Sequence, residues 1–152
     1  MKSLQDQFAP LNKCFGCGPS NDRGLQIKSY AKEDSLVAEF RPQPHHQAFE
    51  NVLSGGIVGT LLDCHSNWCA AYTLMTSHNM ESPPCTVTAH FAVDLLAPTP
   101  MDKTIVLTAR PRKISERKVE VDAELRVGDV ITARCFGKFV AVNPGHPGYH
   151  RW

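Results

Sequence analysis

Apolar and polar residues alternate with period two in six stretches of this chain, while one long interval between the second and third follows a helical period instead. Leu25-Gln26-Ile27-Lys28-Ser29-Tyr30 and, less strictly, Leu36-Val37-Ala38-Glu39-Phe40 predict a strand hairpin turning at Glu33-Asp34. A polar loop follows over 42–51. From Ser54 to about Met75 there is no proline, and Ser54 suits an N-cap. Ile57, Val58, Leu61, Leu62, Trp68, Cys69, Ala71, Tyr72 and Leu74 then cover more than one helical face, so this helix has to be buried. After a turn-rich connection, Thr86 to Leu95 alternates as a strand and stops at Pro98-Thr99-Pro100. Further strands are predicted over Thr104–Ala109, Lys118–Leu125 and Val130–Val142, with Gly128-Asp129 as the tight turn between the last two. Two strands, one buried helix and four strands predict an α+β domain, an antiparallel sheet wrapped around a single long central helix.

Gly, Pro and Asn punctuation divides the chain into an irregular arm (1–24), a domain (25–142) and an irregular tail (143–152), with no internal repeat. A length of 152 residues suffices for one core without metal or disulfide staples. The formal net charge of +1 supplies no global field to recruit nucleic acid or a membrane surface. No apolar run approaches the ~20 residues that span a bilayer, and the N-terminus lacks the apolar core of a secretory signal. These features predict a cytoplasmic protein. The six cysteines sit mostly in apolar segments, as reduced buried thiols do, so no disulfide is expected. Cys14-Phe15-Gly16-Cys17 fits a structural turn, half of a zinc site or a redox pair. No second CxxC or CxxH completes four ligands, though His45-His46 are available, and the expectation is a turn without metal.

The chemistry concentrates at Ser54-Gly55-Gly56 and Asp63. Glycines at the mouth of a buried helix expose backbone N–H groups, and a lone carboxylate two turns in offers an acid/base or a nucleophile. That pairing fits acyl chemistry. A charge within Thr60-Leu61-Leu62-Asp63-Cys64 has to be paired, hydrogen-bonded or kept for function. Gly55 and Gly56 serve equally well as close-packing residues between helix and sheet.

Taken together, these residues resemble the hotdog-fold 4-hydroxybenzoyl-CoA thioesterase superfamily, nearest its phenylacetic-acid-degradation (PaaI-like) branch, over about Cys14 to Val142. The family carries His-Gly-Gly at the helix N-terminus with an acidic residue nine positions after the His, and Ser54-Gly55-Gly56 with Asp63 keeps that spacing. His46-Gln47 resembles the His/Asn-Gln that precedes the motif. Cys14-Phe15-Gly16-Cys17-Gly18 with Asn21 and Gly24-Leu25 resembles an arm of many members. Val87-Thr88-Ala89 resembles the strand that places a Ser or Thr near the attacking water. One departure stands out: Ser54 replaces the family histidine, and with it that residue's positioning contribution.

The resemblance implies an acyl-CoA thioesterase with Asp63 as general base or nucleophile, the Gly55 N–H as oxyanion donor and Thr88 orienting water. It places His46, Ser54 and Gly56 at the substrate. It implies no metal or redox cofactor, and a homodimer or dimer of dimers with sheets joined edge to edge and the site at the subunit interface. Each role has a plainer alternative: a solvated loop for His46, a β-branched strand residue for Thr88, and, for Trp68 and Tyr72 four apart on the helix, core packing rather than an acyl pocket. Arg110, Arg112, Lys113, Arg117 and Lys118 form either a solvated turn or a cradle for coenzyme A phosphates, with Arg112, Lys113 and Arg117 as its candidates. A non-catalytic acyl-CoA or lipid-binding hotdog protein is the alternative, motivated by Ser54. A hotdog dehydratase lacks a paired Asp and His.

Overall fold

The computed structural model describes residues 1–150 and 152. Helix α1 (Leu4–Phe8) is followed by strands β1 (Ser29–Lys32) and β2 (Ser35–Phe40), a 3-10 turn at Pro44–His46 and the short pair β3 (Gln47–Phe49) and β4 (Val52–Leu53). The long helix α2 (Gly55–Ser77) then precedes β5 (Thr86–Leu95), β6 (Ile105–Ile114), β7 (Lys118–Val127) and β8 (Val130–Ala141). Six strands form one antiparallel sheet in the order β1-β2-β6-β7-β8-β5. Helix α2 packs against β2, β5, β6, β7 and β8, which is the hotdog arrangement.

Period-two patterning makes this possible. On β7, Val119, Val121, Ala123, Leu125 and Val127 are buried toward the helix, while Asp122 between them is exposed. Leu61, Leu62, Trp68 and Leu74 of α2 meet Ile105, Leu107, Leu125 and Phe139 in the core. Gly128, with φ of 58°, supplies the left-handed position that the β7–β8 turn requires. No helix of the described residues is long and apolar enough to cross a membrane.

The structure departs from the sequence pattern in several places. The first strand begins at Ser29 rather than Leu25, because Gln26 takes a φ of 50°. Leu25 and Ile27 instead donate their N–H groups to the Phe15 and Gly16 carbonyls, so this apolar alternation packs the arm. The arm itself carries α1 and sends Leu4, Ala9 and Cys17 into the core. The 42–51 loop contains a 3-10 turn and part of the β3–β4 pair. Strand β6 runs past Ala109 to Ile114, with a register shift between Pro111 and Lys113 that accommodates a residue without an N–H. In the tail expected over 143–152, Trp152 stacks on Trp68 with ring centroids 4.5 Å apart, while Arg151 lies outside the described residues.

A buried polar chain ties the arm to both layers. His65, fully enclosed on α2, bonds the Leu36 carbonyl through Nε2 (3.0 Å), and its Nδ1 meets the Ser29 hydroxyl (2.8 Å). Gln5 donates to that hydroxyl and accepts from the Ser29 N–H, at 2.9 and 2.8 Å. With Nε2–H donating to Leu36, Nδ1 is the acceptor and the ring is neutral.

Burial pushes the His65 pKa down to about 4, against the opposing pull of the Leu36 carbonyl. The unfolded chain, with an ordinary histidine near 6.5, then binds a proton that the native state refuses between about pH 6.5 and 4. Native stability is therefore complete above that window and falls as pH drops through it, by roughly 3 kcal/mol at ~1.4 kcal/mol per pH unit. The burial of His46 acts in the same direction. Thermal melts between pH 7.5 and 4.5 should show Tm falling with pH, and His65→Asn should flatten that dependence; an unchanged slope in a folded variant would remove His65 as its cause.

Candidate active site

The N-terminus of α2 is anchored by backbone. The Ser54 carbonyl accepts from the Ile57 and Val58 N–H groups, each at 3.0 Å, and the Ser54 N–H donates to the His46 carbonyl at 3.0 Å. The Ser54 side chain makes no capping bond. Gly55 and Gly56, the first helical residues, present N–H groups without intrahelical acceptors at the positive end of the helix dipole. A Cβ on Gly55 would sit 3.3 Å from Leu95 Cδ1, whereas one on Gly56 would meet nothing nearer than 3.7 Å. Close packing therefore accounts for glycine at 55 only in part and at 56 not at all. Gly55 lines a cleft of about 360 Å³ with Phe49, Val58 and Leu95.

Two turns on, at ~1.5 Å per residue, Asp63 lies about 12 Å further along the axis and opens into a different cleft. This second cleft, about 460 Å³, is bounded by Asp63, Cys64 and Asn67 of α2, Val87 and Thr88 of β5, and arm residues from Leu11 to Cys17. Thr88 Oγ1 donates to Asp63 Oδ1 at 2.6 Å, which fixes the carboxylate's orientation. Asn67, one turn beyond Asp63, donates to the Thr86 carbonyl at 3.3 Å. Its Oδ1 is buried with no hydrogen-bond partner among the described residues. The i+4 spacing of Asn67 from Asp63 places it toward the same cleft, as the structure finds, although the sequence alone assigns it no catalytic role.

His46 lines neither cleft. It is buried, stacks on Phe40 at 5.6 Å and accepts the Gln43 N–H on Nδ1 at 2.9 Å, so it is not the solvated loop residue that its neighbours implied. Burial, and then the adjacent His45, hold its pKa below the ordinary histidine value. The basic residues stand apart from Asp63. Arg112 approaches Asp122 at 3.8 Å and lies 5.3 Å from the Phe136 ring centroid, and Arg117 donates to the Ala141 carbonyl at 2.7 Å. Lys113 is exposed opposite Glu120. Arg110 and Arg112 share a concavity of about 620 Å³ with Arg134, but also with Asp94, Asp122 and Glu124. Within one chain the fold joins Asp63 to Thr88 and groups Gly55 with Ser54 and Gly56, but it does not unite the two sets.

The fold also assembles what CxxC spacing could not reveal. Cys64 of α2 lies against the Cys14–Cys17 turn, with Cys14 and Cys64 Sγ 3.8 Å apart and all three sulfurs within 4.8 Å of one another. Hydrogen bonds from the Cys17 and Cys64 thiols, aided by the Cys17 and Gly16 backbone N–H groups, draw the Cys14 thiol far below its ordinary pKa, while Cys17 and Cys64 are raised. All six cysteines are free thiols.

The profile of the thioesterase superfamily matches residues 50–134, more than half of the chain. The chain belongs to the thioesterase superfamily. No curated protein sequence matches it significantly. Among solved structures, a thioesterase superfamily protein from Shewanella loihica is 29% identical, with a TM-score of 0.66 over 82% of this chain and 98% of that one. The Escherichia coli PaaI protein of the phenylacetic acid degradation operon is 19% identical, with a TM-score of 0.66 over 82% and 88%. Zebrafish thioesterase superfamily member 2 is 16% identical, with a TM-score of 0.68 over 93% and 100%. The last two are likenesses of fold.

The arm wall of this superfamily member's Asp63 cleft depends on Gly18. A Cβ there would lie 2.4 Å from the Asn12 carbonyl oxygen and 2.5 Å from the Cys14 nitrogen, both backbone atoms that cannot swing aside. Gly18→Ala should cost ~1–3 kcal/mol, as overpacking does, and lower Tm by several degrees. A melt indistinguishable from wild type would show that the arm yields freely.

Proposed function

We propose that this superfamily member hydrolyses an acyl-CoA thioester to a free acid and coenzyme A. The observation that carries this reading is the Asp63 carboxylate, held by the Thr88 hydroxyl at 2.6 Å and opening into a cleft from the buried helix α2. Asp63 either removes a proton from the attacking water or attacks the carbonyl itself. Thr88 orients the carboxylate and, through it, the water. The carbonyl oxygen receives the Gly55 N–H, where the helix dipole favours developing negative charge. The acyl–sulfur bond then breaks: as general base, Asp63 passes the water's proton to the departing sulfur, and as nucleophile it holds the acyl group as a mixed anhydride that water cleaves to the free acid and the restored carboxylate, its proton going to the thiolate. In this reading Ser54 and Gly56 border the substrate beside Gly55, His46 acts only indirectly by holding the Ser54 N–H on its carbonyl, and Arg112, Lys113 and Arg117 supply cations for the phosphates.

Because Gly55 and Asp63 sit about 12 Å apart on one helix, they cannot address one carbonyl within a chain. We assign each site to two subunits of a homodimer, Gly55 from one facing Asp63 from the other. Strand β5 supports this: among the described residues it pairs with β8 alone, leaving its other edge open. Phe91 and Leu95 on it are 41% and 61% exposed, and they lie beside Gly59 and Gly55 of α2. An uncovered apolar edge of this kind invites strand pairing. The alternative, a non-catalytic acyl-CoA or lipid binder, rests on Ser54 in place of the family histidine.

Asp63→Asn should keep the far-ultraviolet circular dichroism of the wild type and slow thiol release from a panel of acyl-CoAs at least ~100-fold, as loss of an acid/base group does. Near-normal turnover would exclude Asp63 from the chemistry. Tight binding of intact acyl-CoA by the wild type without thiol release would establish the binder.

Subunit exchange tests the shared site. Asp63→Ala chains mixed with Gly55→Leu chains should form heterodimers in which one site collects both lesions and the other neither, restoring about one functional site of two. Mixed dimers without recovered activity would confine Asp63 to its own chain.

A further inference from the structure

We propose that Cys14, Cys17 and Cys64 form a three-thiolate binding site for Zn²⁺, in the wall of the Asp63 cleft. Two thiolates bound tetrahedrally at Zn–S of about 2.3 Å stand about 3.8 Å apart. Cys14 and Cys64 Sγ already stand at 3.8 Å, and Cys17 Sγ lies within 4.8 Å of both. A disulfide would need the sulfurs near 2.05 Å. Three soft thiolates in this arrangement suit a thiophilic d¹⁰ ion better than a hard, oxygen-seeking one.

The surroundings hold the sulfurs in place before any ion arrives. The Cys14–Cys17 turn closes through the Gly18 N–H to the Cys14 carbonyl at 2.9 Å, and Asn12 Oδ1 accepts the Cys14 N–H at 2.8 Å. The Trp68 indole N–H donates to Cys17 Sγ at 3.3 Å, the kind of outer contact that orients a metal-binding thiolate. Gly16 lets helix and turn approach: a Cβ there would lie 2.3 Å from Cys64 Sγ and 2.9 Å from Thr60 Cγ2. Cys17 and Cys64 are buried, while Cys14 is half-buried and lines the cleft with them. The fourth tetrahedral position falls to water from that cleft, as in sites with three protein ligands. On binding, the thiol protons pass to solvent.

The test uses the full-length, fully reduced protein, with Co²⁺ as the spectroscopic probe and Zn²⁺ as competitor. One equivalent of Co²⁺ should produce the thiolate-to-cobalt charge-transfer absorption of a tetrahedral site, and one equivalent of Zn²⁺ should abolish it. Cys64→Ser and Cys14→Ser should each lose the band while keeping the wild-type circular dichroism. Absence of the band in the wild type, or its full persistence in Cys64→Ser, overturns the site. Should a variant fail to fold, alkylation of the wild type read by mass spectrometry decides. Zinc should protect Cys14, the half-buried ligand, and leave the similarly accessible Cys85 as reactive as before, whereas equal labelling of Cys14 with and without zinc overturns the proposal.

Discussion

The enclosure of α2 on nearly every side is the constraint from which the rest of the structure follows. A helix taken out of water must satisfy its polar side chains from its own chain. His65, Asn67 and Trp68 are buried along it, and Asp63 is partly so. Between them they reach the hairpin, β5 and the arm. His65 bonds to Leu36 of β2 and to Ser29 of β1, which fixes the hairpin and, through Gln5, draws α1 against the sheet. Asp63 and Asn67 engage Thr88 and Thr86, setting β5 in register with the helix. Trp68 donates to Cys17 and so pins the arm. The apolar residues of α2 supply the free energy of burial, while its polar residues decide where neighbouring elements dock.

This division explains what the sequence made legible. Period-two strands and a proline-free apolar helix are local signals, and they located the sheet strands and α2 to within a few residues, apart from the start of β1 and the end of β6. Leu25-Gln26-Ile27 misled because an alternating pattern reports burial on one side without saying which partner covers it. Here the partner is the arm, and the left-handed Gln26 breaks the ladder. The extension of β6 to Ile114 was hidden by Pro111, which a bulge absorbs. Helix α1 is five residues long, too short for periodicity to announce it.

The candidate site was legible where it follows spacing on one helix and opaque where it needs the tertiary fold. Asp63 and the glycines were visible from their places along α2. Thr88 was visible only by resemblance, and its bond to Asp63 joins residues 25 positions apart. Cys64 is separated from Cys14 by 50 positions, so no ligand spacing could connect them. The signal that existed was indirect: a Gly between the two arm cysteines, at a position where any side chain would strike the Cys64 sulfur.

Helix geometry also sets what one chain can accomplish. Eight residues of rise separate the N–H donors of the first turn from the carboxylate, and no side-chain rotamer of Asp63 spans ~12 Å back along its own axis. The two groups accordingly face separate clefts, one against Leu95 and the other against Thr88, at opposite ends of the same strand. Strand β5 is thus the element that both halves share, and it is also one of the two edge strands of the sheet and carries the exposed Phe91 and Leu95. Under the proposed two-fold pairing, a second β5 running antiparallel would bring the Leu95 end of one chain beside the Thr88 end of the other. Covering the edge and completing the site would then be the same event, and the proposed hydrolysis would depend on that pairing.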